Sequence, residues 1–163
     1  MRILGIDPGL THTGWAVIEA PSPNTLSYSM SGHITSTSNH PIGLRLANIY
    51  NKLSSVITEY MPDAVALEDI FVNKNSSSSL KLGYARGISL MIPYIHNKEV
   101  IEYSATSVKK NVTGNGHASK NQVASMVKFL LPRANFTQAD EIDATAVAIC
   151  HIYHTQGYKR LIK

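Results

Sequence analysis

The spacing of apolar positions changes several times along the chain, and each change marks an element. Residues 2–7 (RILGID) are apolar almost without interruption, the pattern of a short strand buried on both faces. That run closes on Asp7, directly ahead of Pro8-Gly9. Residues 14–19 (GWAVIE) predict a second strand, and the PGLTHT between them is short enough for a hairpin connection. PSPN at 21–24 predicts a turn, and residues 26–34 predict a third strand. Links this short predict an antiparallel meander.

After the polar loop STSNHP (36–41) the period becomes helical. Leu44, Leu46, Ile49, Leu53, Val56 and Ile57 recur at helical spacing up to Tyr60, and Pro62 stops the run. Residues 64–68 (AVALE) predict a strand that again ends in an acid, Glu68. Residues 73–79 (NKNSSSS) predict a polar loop whose last serine, Ser79, caps a helix over 80–96, with Pro93 near its end. Residues 100–103 predict a fifth strand, and a helix runs from Ser119 to Leu131 ahead of Pro132. A last helix covers 139–154, with Gly157 past its end.

The resulting order is β-β-β-α-β-α-β-α-α. Strands that alternate with helices imply parallel pairing in the second half, and the first three strands imply antiparallel pairing. The expected fold is α/β: a mixed five-stranded sheet, three antiparallel strands then parallel ones, flanked by helices on both faces. No repeat or linker divides the chain, so 163 residues are expected to form a single domain, 1–163.

Composition narrows the function classes. Apolar residues make up 44% and mean hydropathy is near zero, which excludes a disordered chain. No apolar run approaches the roughly 18 residues of a spanning helix, and the N-terminus has no signal-peptide pattern. Cys150 is the single cysteine and can form no internal disulfide, which fits a reducing, cytoplasmic setting with no membrane partner. Cys150, His151 and His154 have the spacing of half a zinc site, but no second pair completes it. His151 and His154 are instead expected on the exposed end of the last helix. The net charge of +4 is unevenly spread. Residues 1–73 hold three basic and six acidic side chains; residues 74–163 hold twelve basic and five acidic. A basic half suits a polyanion such as nucleic acid, or is a solvated face.

Four acids stand where the predicted topology would bring them together. Asp7 and Glu68 end the first and fourth strands, which can lie parallel and adjacent, and ligand sites in open α/β sheets sit at that edge. Asp140 and Asp143 are three apart at the start of the last helix and share a face. Three of them have an ordinary alternative: an Asx-turn before Pro8, a lysine pair for Glu68, a macrodipole interaction for Asp140. Taken jointly, four carboxylates in a small volume would repel and hold protons unless divalent cations neutralised them. An all-oxygen donor set favours Mg²⁺ or Mn²⁺, and two such ions could activate a water and stabilise the leaving oxygen of a phosphodiester. Asp69 is expected to point to the opposite side of the sheet, and Glu141 to lie off the Asp140/Asp143 face.

The stretches MRILGIDPGLTHTGWAVIE, ALEDIFVNKNSSSSLKLGYARG, Val108-Lys109 through Lys120-Asn121-Gln122-Val123, and QADEIDATAVAI resemble the RuvC family of Holliday junction resolvases nearly end to end. The resemblance implies an RNase H-like fold, a homodimer, and Mg²⁺-dependent paired nicking of four-way junction DNA at symmetrical positions. It also implies cleavage sequences containing TT, a sealable 5′-phosphate nick, and joint action with the RuvA–RuvB branch-migration complex. By the same resemblance the catalytic acids are Asp7, Glu68, Asp140 and Asp143, holding two Mg²⁺ per subunit with Mn²⁺ as a substitute. The junction-facing aromatic is Phe71, and Lys109 and Lys120 are the basic residues near the active site. The serine run at 76–79 departs from the family pattern.

Beside the resemblance, an exposed Phe71 could stack on a base freed at the crossover, and Asn73 and Lys74 on the same loop could contact phosphates or base edges. Lys109 and Lys110 precede the Gly-rich TGNGHASK, which ends at Lys120, and Ser119 could cap the helix that follows. Lys120 could neutralise transition-state charge. Gly83 and Gly87 are four apart, with Leu80 and Met91 on their stripe, which predicts a dimer interface including Leu80, Gly83, Tyr84 and Gly87. Close packing on the chain's own sheet is the alternative. DPGLTHTG also resembles the phosphate loop of actin-like and sugar-kinase folds, so a phosphotransferase is a second reading, and an inert junction-binding protein a third.

Overall fold

The computed structural model describes residues 1–22, 25–69 and 76–161, with side chains described throughout except at 76–78 and 157–161. Five strands form one sheet: β1 (Arg2–Asp7), β2 (His12–Ser22), β3 (Thr25–Thr35), β4 (Ala64–Asp69) and β5 (Glu99–Ser104), in the order β3-β2-β1-β4-β5. β1–β2 and β2–β3 are antiparallel, while β1–β4 and β4–β5 are parallel. The mixed sheet expected from the strand spacing is therefore present, with longer hairpin strands.

Helices α1 (Ile42–Tyr60), α2 (Ser76–Ile95), α3 (Ala105–Thr113), α4 (Lys120–Leu130) and α5 (Ala139–Leu161) cover the sheet. Alternation along each strand sorts the core into two layers. Leu4, Ile6, Val17, Val65 and Leu67 pack with Ile49, Leu53, Ile57 and Ile92 of α1 and α2. Ile3, Ile18, Ala66 and Tyr103 pack with Val108, Val112, Val123, Val127, Val147 and Ile149 of α3, α4 and α5. Each fully buried aliphatic side chain contributes about 1.5–3 kcal/mol of transfer free energy, so both faces of the sheet are driven under cover.

Three expectations are corrected. A helix, α3, lies where the sequence pattern predicted only a link before the Gly-rich loop. Four of its nine residues are β-branched, which lowers its helical signal, but Ser104 caps it by accepting a hydrogen bond from the Ser107 amide. Gly114 closes it at φ 81°, a conformation that glycine adopts without a Cβ penalty. α2 begins at Ser76, so Ser79 lies inside the helix rather than capping it; serine costs a helix only tenths of a kcal/mol, and α2 is held along α1. α5 runs through Gly157 to Leu161, tolerating an interior glycine. The turn expected at 21–24 lies partly outside the described residues. Among the described residues no helix is long and apolar enough to cross a membrane.

Candidate active site

β1 and β4 place their terminal acids side by side. Ile6 pairs with Leu67 in the parallel ladder, so Asp7 and Glu68 follow at the C-terminal ends of adjacent strands. Ile3 and Gly5 on β1, and Ala66 on β4, face α5, so Asp7 and Glu68, in step with them, face α5 as well. Asp69 takes the other face, as expected, and accepts a hydrogen bond from Arg86 of α2 at 2.9 Å; Arg86 also pairs with Glu102 of β5.

Two glycines let α5 lie directly on the sheet. A Cβ on Gly5 would stand 2.1 Å from the Ala144 carbonyl oxygen, and one on Gly14 would stand 2.0 Å from the Asp140 carbonyl oxygen. Gly14 is the register partner of Asp7. The first turn of α5 is therefore laid over the end of β1, which brings Asp140 and Asp143 towards Asp7.

The opposite wall comes from α3 and α4. Ser119 caps α4 in a reciprocal capping box with Gln122, which fixes the first helical residue, Lys120. Lys120 Nζ donates to Asp143 Oδ2 at 3.1 Å. Asp7, Glu68, Asp143, Lys109 and Lys120 line a cavity of about 120 Å³, floored by Ala105, Val108, Val123 and Ala146. Lys110, the next residue on α3, is exposed and does not line it. Asp140 borders a neighbouring depression with Gly9, His12, Arg45 and Lys81, yet stays close enough for its charge to act on Asp7. Phe71, Asn73 and Lys74 lie outside the described residues.

The electrostatics reflect crowded acids. Burial, then the charges of Glu68, Asp143 and Asp140, push the Asp7 carboxyl up to about 7, against a smaller opposing pull from Lys120. Burial and Asp143 raise Glu68, while Lys120 and Lys109 lower it. The hydrogen bond and charge of Asp143 raise Lys120, keeping it cationic. Among the described residues no three His, Cys, Asp or Glu side chains are drawn tightly enough together to hold a metal ion between them. The donor chemistry nevertheless fits one: several carboxylates, one of them carrying its proton to near neutrality, are set against two lysines. Hard oxygen donors short of positive charge are what Mg²⁺ or Mn²⁺ takes.

The sequence pattern gave no role to Glu141. It is buried at 2% exposure, and its carboxylate is surrounded by Ser31, His33 and Thr137. Nor did it single out Gly5 or Gly14, although a glycine inside a strand is a signal of close backbone approach. His151, expected to be exposed, is buried and lies 2.9 Å from the Tyr103 hydroxyl, because α5 continues beyond it and packs it on β5; His154 is exposed. Cys150 is fully buried, and burial pushes its thiol up to about 12, leaving it inert.

Residues 3–151 match the family described as Crossover junction endodeoxyribonuclease RuvC. The protein of that name from Methylorubrum extorquens (strain PA1) is 49% identical over 154 residues, 94% of this chain and 81% of that protein. The one from Brucella anthropi is 47% identical over 157 residues, covering 96% and 91%. The structure of T. thermophilus RuvC in complex with Holliday junction substrate superimposes with a TM-score of 0.91 at 28% identity, covering 97% of this chain and 96% of the other. With its acids at the C-terminal edge of an RNase H-like sheet, this chain belongs to the RuvC family of crossover junction endodeoxyribonucleases.

Proposed function

We propose that the chain resolves four-way DNA junctions by metal-dependent hydrolysis of one phosphodiester per subunit, acting as a single nuclease domain over 1–163. The observation that carries this reading is the convergence of Asp7, Glu68 and Asp143 with Lys109 and Lys120 in one cavity, with Asp140 beside it. The T. thermophilus relative is seen in complex with a Holliday junction substrate, which supports the same substrate here.

Asp7, Glu68, Asp140 and Asp143 are the residues that would hold two Mg²⁺ ions. Bound there, such ions supply Lewis-acid activation of water and charge stabilisation at the leaving 3′ oxygen. The protein's own part is electrostatic and positional. Lys120, fixed at the start of α4, stands ready to neutralise the charge that develops on the phosphate oxygens, and Lys109 adds a second cation on the same wall. Lys110, exposed outside the cavity, is suited to a backbone phosphate further along the strand. Phe71, Asn73 and Lys74 complete the proposed DNA contacts. Junction selectivity then comes from shape and from two paired sites rather than many base contacts.

Paired cleavage needs a second copy. Leu80 and Tyr84 are 57% and 41% exposed, and a Cβ on Gly83 or Gly87 would meet nothing beyond the helix's own backbone within 4 Å among the described residues, so that stripe of α2 is turned away from the described sheet and open to the partner of a homodimer. Joint work with a RuvA–RuvB complex in the cytoplasm completes the proposal.

The test is a mobile synthetic four-way junction beside a linear duplex of the same sequence, each with and without Mg²⁺, and an Asp7→Asn control. Paired symmetrical nicks on the junction alone, lost without metal and in the variant, are expected. Junction binding without cleavage in either Mg²⁺ or Mn²⁺ would overturn the reading in favour of a binding protein.

A further inference from the structure

Between the two α5 acids stands a third whose side chain takes no part in the cavity. Glu141 follows Asp140 by one residue and precedes Asp143 by two, yet its carboxylate is turned away and buried. It accepts from Ser31 Oγ at 2.8 Å, and His33 Nδ1 lies 3.0 Å from its other oxygen. Thr137 donates twice, from Oγ1 at 2.6 Å and from its backbone amide at 3.3 Å. Three parts of the chain therefore meet at one carboxylate: β3, the segment leading into α5, and α5 itself. The backbone contact resembles half of a capping box, with a carboxylate in the first turn reaching back to an amide ahead of the helix.

A buried carboxylate without donors would cost several kcal/mol, and core packing could fill the place with an apolar side chain at no such risk. Four donors arranged around it make the position directional: the carboxylate can sit only where β3 and Thr137 allow. The same turn is supported from beneath, where the Asp140 carbonyl rests over Gly14. The turn that carries Asp140 and Asp143 is thus fixed on two sides, from below by β2 and laterally by β3.

We propose that Glu141 is a positioning residue of the active site: its buried carboxylate ties the first turn of α5 to β3 and so holds Asp140 and Asp143 in register with Asp7. Glu141 touches neither substrate nor ion; it acts through its neighbours. The inference rests on the metal-dependent reading above.

The test compares the full-length wild type with Glu141→Gln and with the double variant Ser31→Ala/His33→Ala, which leaves the Glu141 carboxylate in place and removes its β3 donors. Mn²⁺ binding is titrated calorimetrically without DNA, amide hydrogen exchange is followed at residues 140–144, and cleavage is measured across Mg²⁺ concentrations. Both variants are expected to weaken Mn²⁺ binding by about tenfold, the lower end of what substitutions behind a metal's ligands cost, with a matching rise in half-saturating Mg²⁺. Exchange should quicken in the first turn of α5 but not in β1. Unchanged Mn²⁺ affinity in variants of either kind would overturn the inference, whatever their thermal stability, because a purely structural role moves stability alone. If Glu141→Gln does not fold, the double variant decides. A wild type that binds no Mn²⁺ removes the metal-dependent reading and this inference together; a wild type that binds beside unaffected variants removes only the inference.

Discussion

Asp7 and Gly14 face each other across the β1–β2 ladder, and the space that a Cβ on Gly14 would fill is held by the carbonyl oxygen of Asp140, 2.0 Å from that point. The obstacle is backbone, so it cannot swing aside as the end of a long side chain would. Gly14→Ala should lift the first turn of α5 off β2. Overpacking of this kind costs about 1–3 kcal/mol, and a displacement near 1 Å at a reacting centre costs about 100-fold in rate. Urea denaturation and single-turnover junction cleavage would register both losses. Wild-type cleavage by a folded Gly14→Ala protein would mean that α5 need not lie against this strand.

The Asp7 carboxyl predicts a pH dependence of stability. Its value of about 7 in the folded protein stands above the unfolded 3.8, so the folded state holds its proton more tightly. The contribution is fully present below pH 4 and is lost as pH rises to 7. Partial solvent access discounts the effect to on the order of 2 kcal/mol. In metal-free buffer, Asp7→Asn should equal the wild type at pH 4 and exceed it at pH 8. Mg²⁺ should raise the wild-type midpoint at pH 8 and leave the variant's almost unmoved. Thermal melts at the two pH values check this, and a variant no more stable than wild type at pH 8 would contradict it.

Lys120 separates catalysis from stability. Its side chain is 85% exposed, so its pair with Asp143 contributes about 0–1 kcal/mol to the fold. If it neutralises charge on the phosphate as proposed, it should matter far more to rate. Lys120→Met is expected to melt within a few degrees of wild type, bind the junction in EDTA with modest loss, and cleave about 100 to 1,000-fold more slowly. A loss of less than tenfold would show that Lys120 only balances Asp143.

Much of this was legible in the sequence because the controlling signals are local. Their places at the ends of parallel strands put Asp7 and Glu68 at one edge, alternation put Asp69 on the opposite side from Glu68, and the spacing of Asp140 and Asp143 put both on one helix face. Ser119 with Gln122 announced the start of α4. The less legible features depend on what arrives from elsewhere. α3 is short and rich in β-branched residues, so its helical preference comes from Val108 and Val112 packing under α5. Glu141 reads as one more surface acid until β3 supplies Ser31 and His33, more than 100 residues away in sequence. Gly5 and Gly14 show their purpose only once α5 lies on them. The acids' identities were written in the chain; the surfaces that aim them were not.

The outward stripe of α2 offers a test in which one substitution moves two quantities in opposite directions. An interior helical glycine costs about 1 kcal/mol relative to alanine, so Gly83 and Gly87 burden α2 with a local penalty. Among the described residues nothing outside the helix's own backbone answers it, since a Cβ at either position meets no such atom within 4 Å. If the glycines serve the close approach of a second copy, Gly83→Ala/Gly87→Ala should make the isolated subunit more stable and the dimer weaker. Unfolding at low protein concentration should shift to higher urea, and sedimentation should give a dissociation constant raised about tenfold or more, since added methyl groups in a packed interface cost about 1–3 kcal/mol. Junction cleavage should then depend more steeply on protein concentration and yield more single nicks relative to paired ones. A variant that dimerises with wild-type affinity would place the interface on another face and leave the two glycines without a role.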